Sequence, residues 1–276
     1  MSEFLVTGAT GRVGRHVAAS LAGAGHGVRA LVRSAGAALP DGVEAVQGDL
    51  TSPEAVERAA QGVDGVYLMW PGLPVDARIV DALARHVRHV VYLSTDVADL
   101  ADGETATSFH QEVERLLRKS GLDWTFVRAI DFAANALAWA GQIRQGVVRW
   151  PYGDAARSLI HERDIADVAV LALTAPGHRG SAYVITGPEA ITHREQVRVI
   201  GEVIGRDVRW EDLPPDIARE RLTAAWGDAA FVQSRLQAWE RFAEEPERVT
   251  DTVARLLGRP ARTFRQWAED HASDFR

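Results

Sequence analysis

Three glycines stand at positions 8, 11 and 14, directly behind Thr7 and an apolar run, Phe4-Leu5-Val6. A helical pattern follows at once in Val13, Val17 and Leu21. The order is strand, tight turn, helix. Backbone N–H groups at a helix start point outward, and the aligned peptide dipoles favour an anion there. Gly8 lets the chain turn, Gly11 lets a pyrophosphate approach the backbone, and Gly14 lets helix and strand pack closely. The chemistry implied is the binding of a dinucleotide. A plain strand–helix turn would not require three glycines at this spacing.

The elements that must carry such a site alternate along the first half of the chain. Residues 28–32, 43–46, 63–70, 89–94 and 124–128 read as strands. Ser52 or Thr51 can cap a helix with Pro53 in its first turn and Glu54 near its positive end. Residues 79–88 and 109–120 read as helices, the latter stopped by Gly121. Alternating strands and helices imply parallel strands joined by right-handed crossovers. The expected fold is α/β, a Rossmann-type doubly wound parallel sheet with a smaller, mostly helical C-terminal lobe. A cofactor-binding domain is expected over 1–130, with parts of 155–187 returning to it and 131–276 forming most of the lobe. Residues 160–174 read as a helix after a short strand, 182–185 as a strand, and 193–204 and 216–257 as largely helical. Trp226, Phe231, Trp239 and Phe242 read as core or lid packing, or as an apolar substrate wall.

Composition narrows the classes. The chain has 276 residues, 46% of them hydrophobic, a net charge of −7 and no cysteine. An acidic balance argues against a general nucleic-acid binder. Without cysteine there is no disulfide framework, thiolate metal site or cysteine nucleophile. No apolar run reaches membrane-spanning length and no leader pattern precedes the first strand, so a cytoplasmic protein is expected, with no metal.

Taken together, LVTGATGRVGRHV, VRALVR, VYLMWPG, VVYLST, HQEVERLLRKSGLDWTFVR, RDIADVAVLALT, YVITGPEAIT and GRPARTFRQWAEDH resemble the NmrA-like branch of the atypical short-chain dehydrogenases/reductases, which includes NAD(P)H:quinone oxidoreductase-like proteins. The spacing T-G-x-x-G-x-x-G is that of the wider superfamily. The resemblance implies a Rossmann-type domain, a C-terminal substrate lobe and a bound nicotinamide dinucleotide. The family holds both reductases and cofactor-binding regulators, so membership alone leaves catalysis open.

An NAD-specific site usually places an acid at the end of the second strand. Here Arg33 and Ser34 stand there, and a guanidinium can bind the 2′-phosphate that a carboxylate would repel. NADPH (NADP+) is therefore the expected cofactor, with Arg12 able to join from the glycine turn. The family pattern further implies a cofactor surface that includes Gly8, Thr10, Gly11, Val13, Gly14, Asp49, Leu50, Met69, Trp70, Ser94, His110 and Ile130. Asp49 borders the adenine or serves only as a helix cap.

Ordinary members of the superfamily use a Tyr-x-x-x-Lys pair, and this chain lacks one. Four residues beyond Tyr67, Tyr92, Tyr152 and Tyr183 lie Pro71, Asp96, Ala156 and Gly187, and Lys119 is the only lysine. The resemblance places Ala106 at the tyrosine position and His110 at the lysine position. His110 either bonds ribose or substrate and exchanges a proton, or is an idle polar residue at a helix start. Ser94 and Thr95 end the fifth strand, where the superfamily keeps a hydroxyl that orients a substrate carbonyl. Asp131 replaces a neutral residue in the loop after the sixth strand. It is a proton donor with a raised pKa or a helix cap.

The implied activity is an NADPH-dependent reductase acting on a quinone, aromatic ketone or similar conjugated carbonyl. A non-catalytic NADP(H)-sensing regulator with a protein partner is the alternative, and an isomerase or lyase with a structural cofactor the third. A small aromatic or quinone-like substrate is the expected partner, nucleic acid and membrane are not, and a homodimer is left open.

Overall fold

The computed structural model describes residues 2–34, 36–97, 99–100 and 104–276. Along the chain the elements are β1 (Glu3–Thr7), α1 (Gly14–Gly23), β2 (Gly27–Val32), β3 (Val43–Gln47), α2 (Pro53–Ala60), β4 (Gly65–Met69), α3 (Ala77–Ala84), β5 (His89–Thr95), α4 (Phe109–Lys119) and β6 (Asp123–Ala129). A 3-10 turn over Ala133–Trp139 leads to α5 (Ala140–Arg144), β7 (Val147–Trp150), β8 (Ala156–Arg157), α6 (Glu162–Thr174), β9 (Ser181–Ile185), β10 (Ile191–Thr192) and α7 (His193–Ile204). β11 (Arg209–Asp212), α8 (Pro215–Trp226), α9 (Ala229–Glu244), α10 (Thr252–Leu257), α11 (Phe264–Asp270) and α12 (Ala272–Phe275) complete it.

Two compact units divide these elements. The first takes residues 1–129, 162–185 and 252–258. Its seven strands run in the order β3-β2-β1-β4-β5-β6-β9, all parallel. A parallel strand needs a crossover, and both faces of such a sheet must be covered. α2, α3 and α4 cover one face through Val56, Ile79, Leu83, Val113 and Leu117, all buried against Leu68, Val90 and Phe126. α1 and α6 pack on each other and against β4. Strand order reverses between β1 and β4, and the crevice beyond the carboxyl ends at such a switch point is where ligands bind in open α/β sheets.

Capping explains where the helices start. Ser52 accepts from the Ala55 amide for α2, and Ser108 from the Gln111 amide for α4. Thr192 and Glu195 form a reciprocal capping box at the start of α7.

The second unit takes residues 130–161, 186–251 and 259–276. β7 pairs with β11 in parallel and β8 with β10 antiparallel, each a two-stranded ribbon. The helical reading of 216–257 resolves into three helices. Gly227, left-handed at φ 75°, ends α8, and a stretch without regular structure around Pro246 separates α9 from α10. Trp267, Phe264 and Phe275 are fully buried in one core of this unit, and Val232, Leu236 and Trp239 in another. Among the described residues no helix is long and apolar enough to cross a membrane, and no group of three carboxylates or histidines is placed to hold a metal.

Two buried histidines set an acid limit on this fold. His89 bonds Thr125 at 2.9 Å, and burial pushes its pKa down to about 4 from 6.5. His193 is likewise pushed down to about 4 by burial, with Arg157 adding to the effect. The folded chain resists protonation that the unfolded chain accepts. Their contribution is therefore complete above about pH 6.5 and is lost as pH falls toward 4. We expect a loss on the order of 2 kcal/mol from each by pH 4. Thermal melting across that range should show it, and the His89→Gln, His193→Gln double variant should flatten the curve.

Candidate functional site

The turn between β1 and α1 builds the first half of the site. Gly8 is left-handed at φ 67°, and the Gly11 amide donates to its carbonyl at 2.8 Å. A Cβ on Gly14 would lie 2.2 Å from that same carbonyl oxygen, so only glycine can begin the helix this close. Thr7 fastens the ends of β1 and β4, its hydroxyl oxygen accepting from the Met69 amide at 2.7 Å. No side chain caps α1, and its first turn holds no acid. Its positive end is therefore uncompensated by the protein.

Beyond this turn opens a cavity of ≈ 510 Å³. Gly8, Thr10, Gly11, Arg33, Asp49, Leu50 and Met69 meet in its wall. Arg33 is exposed, and among the described residues it has no hydrogen bond or ion pair. Asp49 makes a local turn, accepting from the Thr51 hydroxyl and, at 2.8 Å, from the Thr51 amide. These bonds, with Arg33 nearby, hold its carboxyl below the usual range. Asp49 thus borders the cavity, while Ser52 supplies the helix cap.

Several expected residues stand elsewhere. Val13 and Gly14 are buried within the turn. Arg12 and Ser34 are exposed beside Gly11 and Arg33 in the chain. Trp70 is turned inward and donates its indole N–H to the Leu73 carbonyl at 2.8 Å. Thr7, Gly48, Thr51, Pro71 and Leu73 also line the cavity and had not been singled out. Thr7 and Thr51 carried a signal in the sequence, each a hydroxyl beside a residue that had been named. The glycine cradle, the uncapped helix and the lone guanidinium together fit a phosphate-rich dinucleotide.

The second unit holds a cavity of ≈ 320 Å³. Asp131 lies in its wall, with Oδ2 2.7 Å from Arg157 Nη2. Its other oxygen accepts from Asn135 and from the Phe132 amide. Arg157 also forks onto Glu247 at 3.1 and 3.2 Å, and Ser158 donates to Glu247 through amide and hydroxyl. Burial raises the pKa of Asp131 against the opposing pull of Arg157. Trp139, Trp150, Trp226, Phe231 and Trp239 give the cavity aromatic walls, whereas Phe242 lies under Arg157 with 4.9 Å between guanidinium and ring. Ile130, half-buried, begins this unit.

The model of the NmrA-like family matches residues 1–251. The chain belongs to the NmrA-like family. It is 46% identical over 284 residues to (4-alkanoyl-5-oxo-2,5-dihydrofuran-3-yl)methyl phosphate reductase of Streptomyces griseus, covering 98% of both chains. It is 35% identical to the NAD(P)H azoreductase of Xenophilus azovorans, again covering 98% of each. Its fold is similar to that of an NADPH-dependent quinone oxidoreductase from Escherichia coli, with a TM-score of 0.78, 24% identity and coverage of 97% of this chain and 98% of that one.

In this NmrA-like chain α4 carries His110, the residue that the resemblance puts at the lysine position. His110 sits in its first turn, and its Nδ1 is 2.9 Å from the Tyr92 hydroxyl. This bond ties the ring to β5, and which of the two atoms donates follows from the tautomer. Burial pushes the His110 pKa down to about 4, with Glu114 opposing. The ring is therefore neutral near pH 7 and is not a cationic acid there. Ser94 and Thr95 use their hydroxyl protons inside the protein. Ser94 donates to Glu114 at 2.7 Å and Thr95 to the Ala129 carbonyl at 3.1 Å.

The NmrA-like glycine turn separates two effects that mutation can read. Gly11 faces the cavity, so Gly11→Val should abolish binding of a reduced nicotinamide dinucleotide, followed by fluorescence, with a smaller loss of stability than at Gly14, its Cβ lying 3.0 Å from the Gly8 carbonyl oxygen. Gly14→Ala should instead lower stability, by about 1–3 kcal/mol, because its methyl meets backbone.

Proposed function

We propose that this protein is an NADPH-dependent reductase that acts on a quinone, aromatic ketone or similar conjugated carbonyl. The observation that carries the reading is Arg33, a guanidinium without an ion-pair partner in the wall of a glycine-lined cavity. A 2′-phosphate supplies the partner it lacks. The Streptomyces relative is named for reduction of a substrate with an oxo-dihydrofuran ring, and the Xenophilus relative for use of NAD(P)H, which supports the same class of reaction.

Bound NADPH supplies the hydride, and a carbonyl that takes it up also needs one proton. Two groups of the chain are suited to the polar part of this work. His110, held by Tyr92 and uncharged near pH 7, offers Nε2 to ribose or substrate, as a donor when the Tyr92 hydroxyl donates to Nδ1. Asp131, whose acid form burial favours while Arg157 opposes it, is the second candidate for the proton. A quinone or conjugated ketone asks less of a protein acid, because its own oxygens take protons from solvent. That is consistent with a chain without the Tyr-x-x-x-Lys pair. The same lack motivates the competing reading, a regulator that binds NADP(H) without turnover.

Steady NADPH oxidation with a panel of quinones separates the two readings. Turnover is expected, and tight NADPH binding with no turnover on any acceptor would favour the regulator. NADPH should bind more tightly than NADH. Arg33→Ala should weaken NADPH by about 1.5–3 kcal/mol, roughly 10- to 150-fold, and leave NADH unchanged. Equal affinities in the unmutated protein would sink the preference.

The proton source has its own signature. His110→Ala should lower kcat about 10- to 1000-fold, and Tyr92→Phe less, because it frees the ring without removing it. With Asp131 as the acid, kcat falls as pH rises through its raised pKa, and Asp131→Asn removes that limb. His110, titrating near 4, puts no such limb near neutrality.

A further inference from the structure

The cavity of the second unit contains a cation with no hydrogen bond and no ion pair among the described residues. Helix α9 presents Phe231, Arg235 and Trp239 four residues apart on one face, and all three line the cavity. Asp131, the only carboxylate in the lining, is held by Arg157 and Asn135, and Arg157 is shared between Asp131 and Glu247. Arg235 is half-buried with its guanidinium 5.7 Å from the centre of the Phe231 ring. Among the described residues it has no hydrogen bond and no carboxylate within ion-pair distance. Its charge reaches Asp131 only through space.

The ring planes of Trp150, Trp226 and Trp239 stand 5.6 to 6.4 Å apart between centroids, forming an aromatic corner beside Arg235. A neutral aromatic substrate would fill such a corner and leave the guanidinium unsatisfied. A planar fork of N–H donors matches a phosphate, sulfonate or carboxylate through two parallel charge-assisted bonds.

We propose that Arg235 binds an oxyanion carried by the substrate, whose conjugated body lies against Trp150, Trp226 and Trp239. The inference rests on the reductase reading only for calling that ligand a substrate. It narrows the class from any conjugated carbonyl to one that bears an anionic group. It also makes Arg235 a specificity residue in the cavity that Asp131 lines.

Calorimetric titration of the NADP+-bound protein tests this without turnover. 2-Naphthyl phosphate, 2-naphthoate, naphthalene-2-sulfonate and 2-naphthol share one ring system and differ in their charged group. At least one anion should bind 10-fold or more tightly than 2-naphthol, and the order among the three identifies the oxyanion preferred. Arg235→Gln should remove that advantage and leave 2-naphthol affinity unchanged, whereas Arg235→Lys should keep part of it. Unchanged anion affinity in a folded Arg235→Gln protein, or equal weakening of all four ligands, would overturn the proposal. With a quinone and its sulfonate as acceptors, Arg235→Gln should raise KM for the sulfonate at least 10-fold and leave KM for the uncharged quinone within about twofold. Anion binding that follows this pattern in a protein that oxidises no NADPH would defeat the reductase reading and leave the oxyanion site standing.

Discussion

The start of α1 lies so close to the Gly8 carbonyl that a Cβ on Gly14 would have no room. Much of the unit follows from it. It fixes where α1 begins relative to β1, and Thr7 in turn binds the end of β1 to β4. Those two strands bound the switch point, so the cavity floor is set by backbone and one hydroxyl instead of by flexible side chains. Long side chains are needed only further out, where Arg33 and Asp49 stand. A site built this way is preorganised, and little ordering entropy is left for ligand binding to oppose.

Charge is distributed on a different principle in each place. Glu114, almost wholly buried, takes Arg128 through both carboxylate oxygens and Arg118 at 3.3 Å, while Arg118 also lies over Trp124 and Phe126. This cluster joins α4 to β5 and β6. Arg157 plays the corresponding role between Asp131 and Glu247 in the second unit. Buried ion pairs gain little net stability over apolar packing, but removing one partner leaves a costly orphan charge. They therefore specify geometry more than they add stability. Arg33 and Arg235 are the contrast. Each lines a cavity, and neither has a carboxylate partner among the described residues.

The sequence made local chemistry visible. The glycine turn, the strands of the first half and the cap Ser52, one of two candidates there, are each determined within a few residues, and they stand where their spacing placed them. What it hid was pairing at a distance. β7 and β11 are each four residues long and lie about sixty residues apart, so neither announces itself. Asp131, Arg157 and Glu247 form one cluster from three distant stretches, and Tyr92 meets His110 from a neighbouring strand. Trp70 shows a different limit. Its position at the end of β4 was legible, but the direction of its indole was decided by the Leu73 carbonyl. Trp226, Phe231 and Trp239 were read as packing or as a substrate wall. They line a cavity, and Trp239 also belongs to a core.

The first unit is assembled from three separated stretches of chain, the last ending at residue 258. β9 forms the sheet's outer strand beside β6, and α6 packs against β4, β5 and β6. During synthesis the six earlier strands therefore emerge well before the helix that covers one of their faces. Until then the growing chain displays apolar strand surface and an open edge at β6, which is a template for unwanted pairing. Truncation before residue 162 would make that transient state permanent. The order of elements thus ties the solubility of the nascent chain to how soon its later segments arrive.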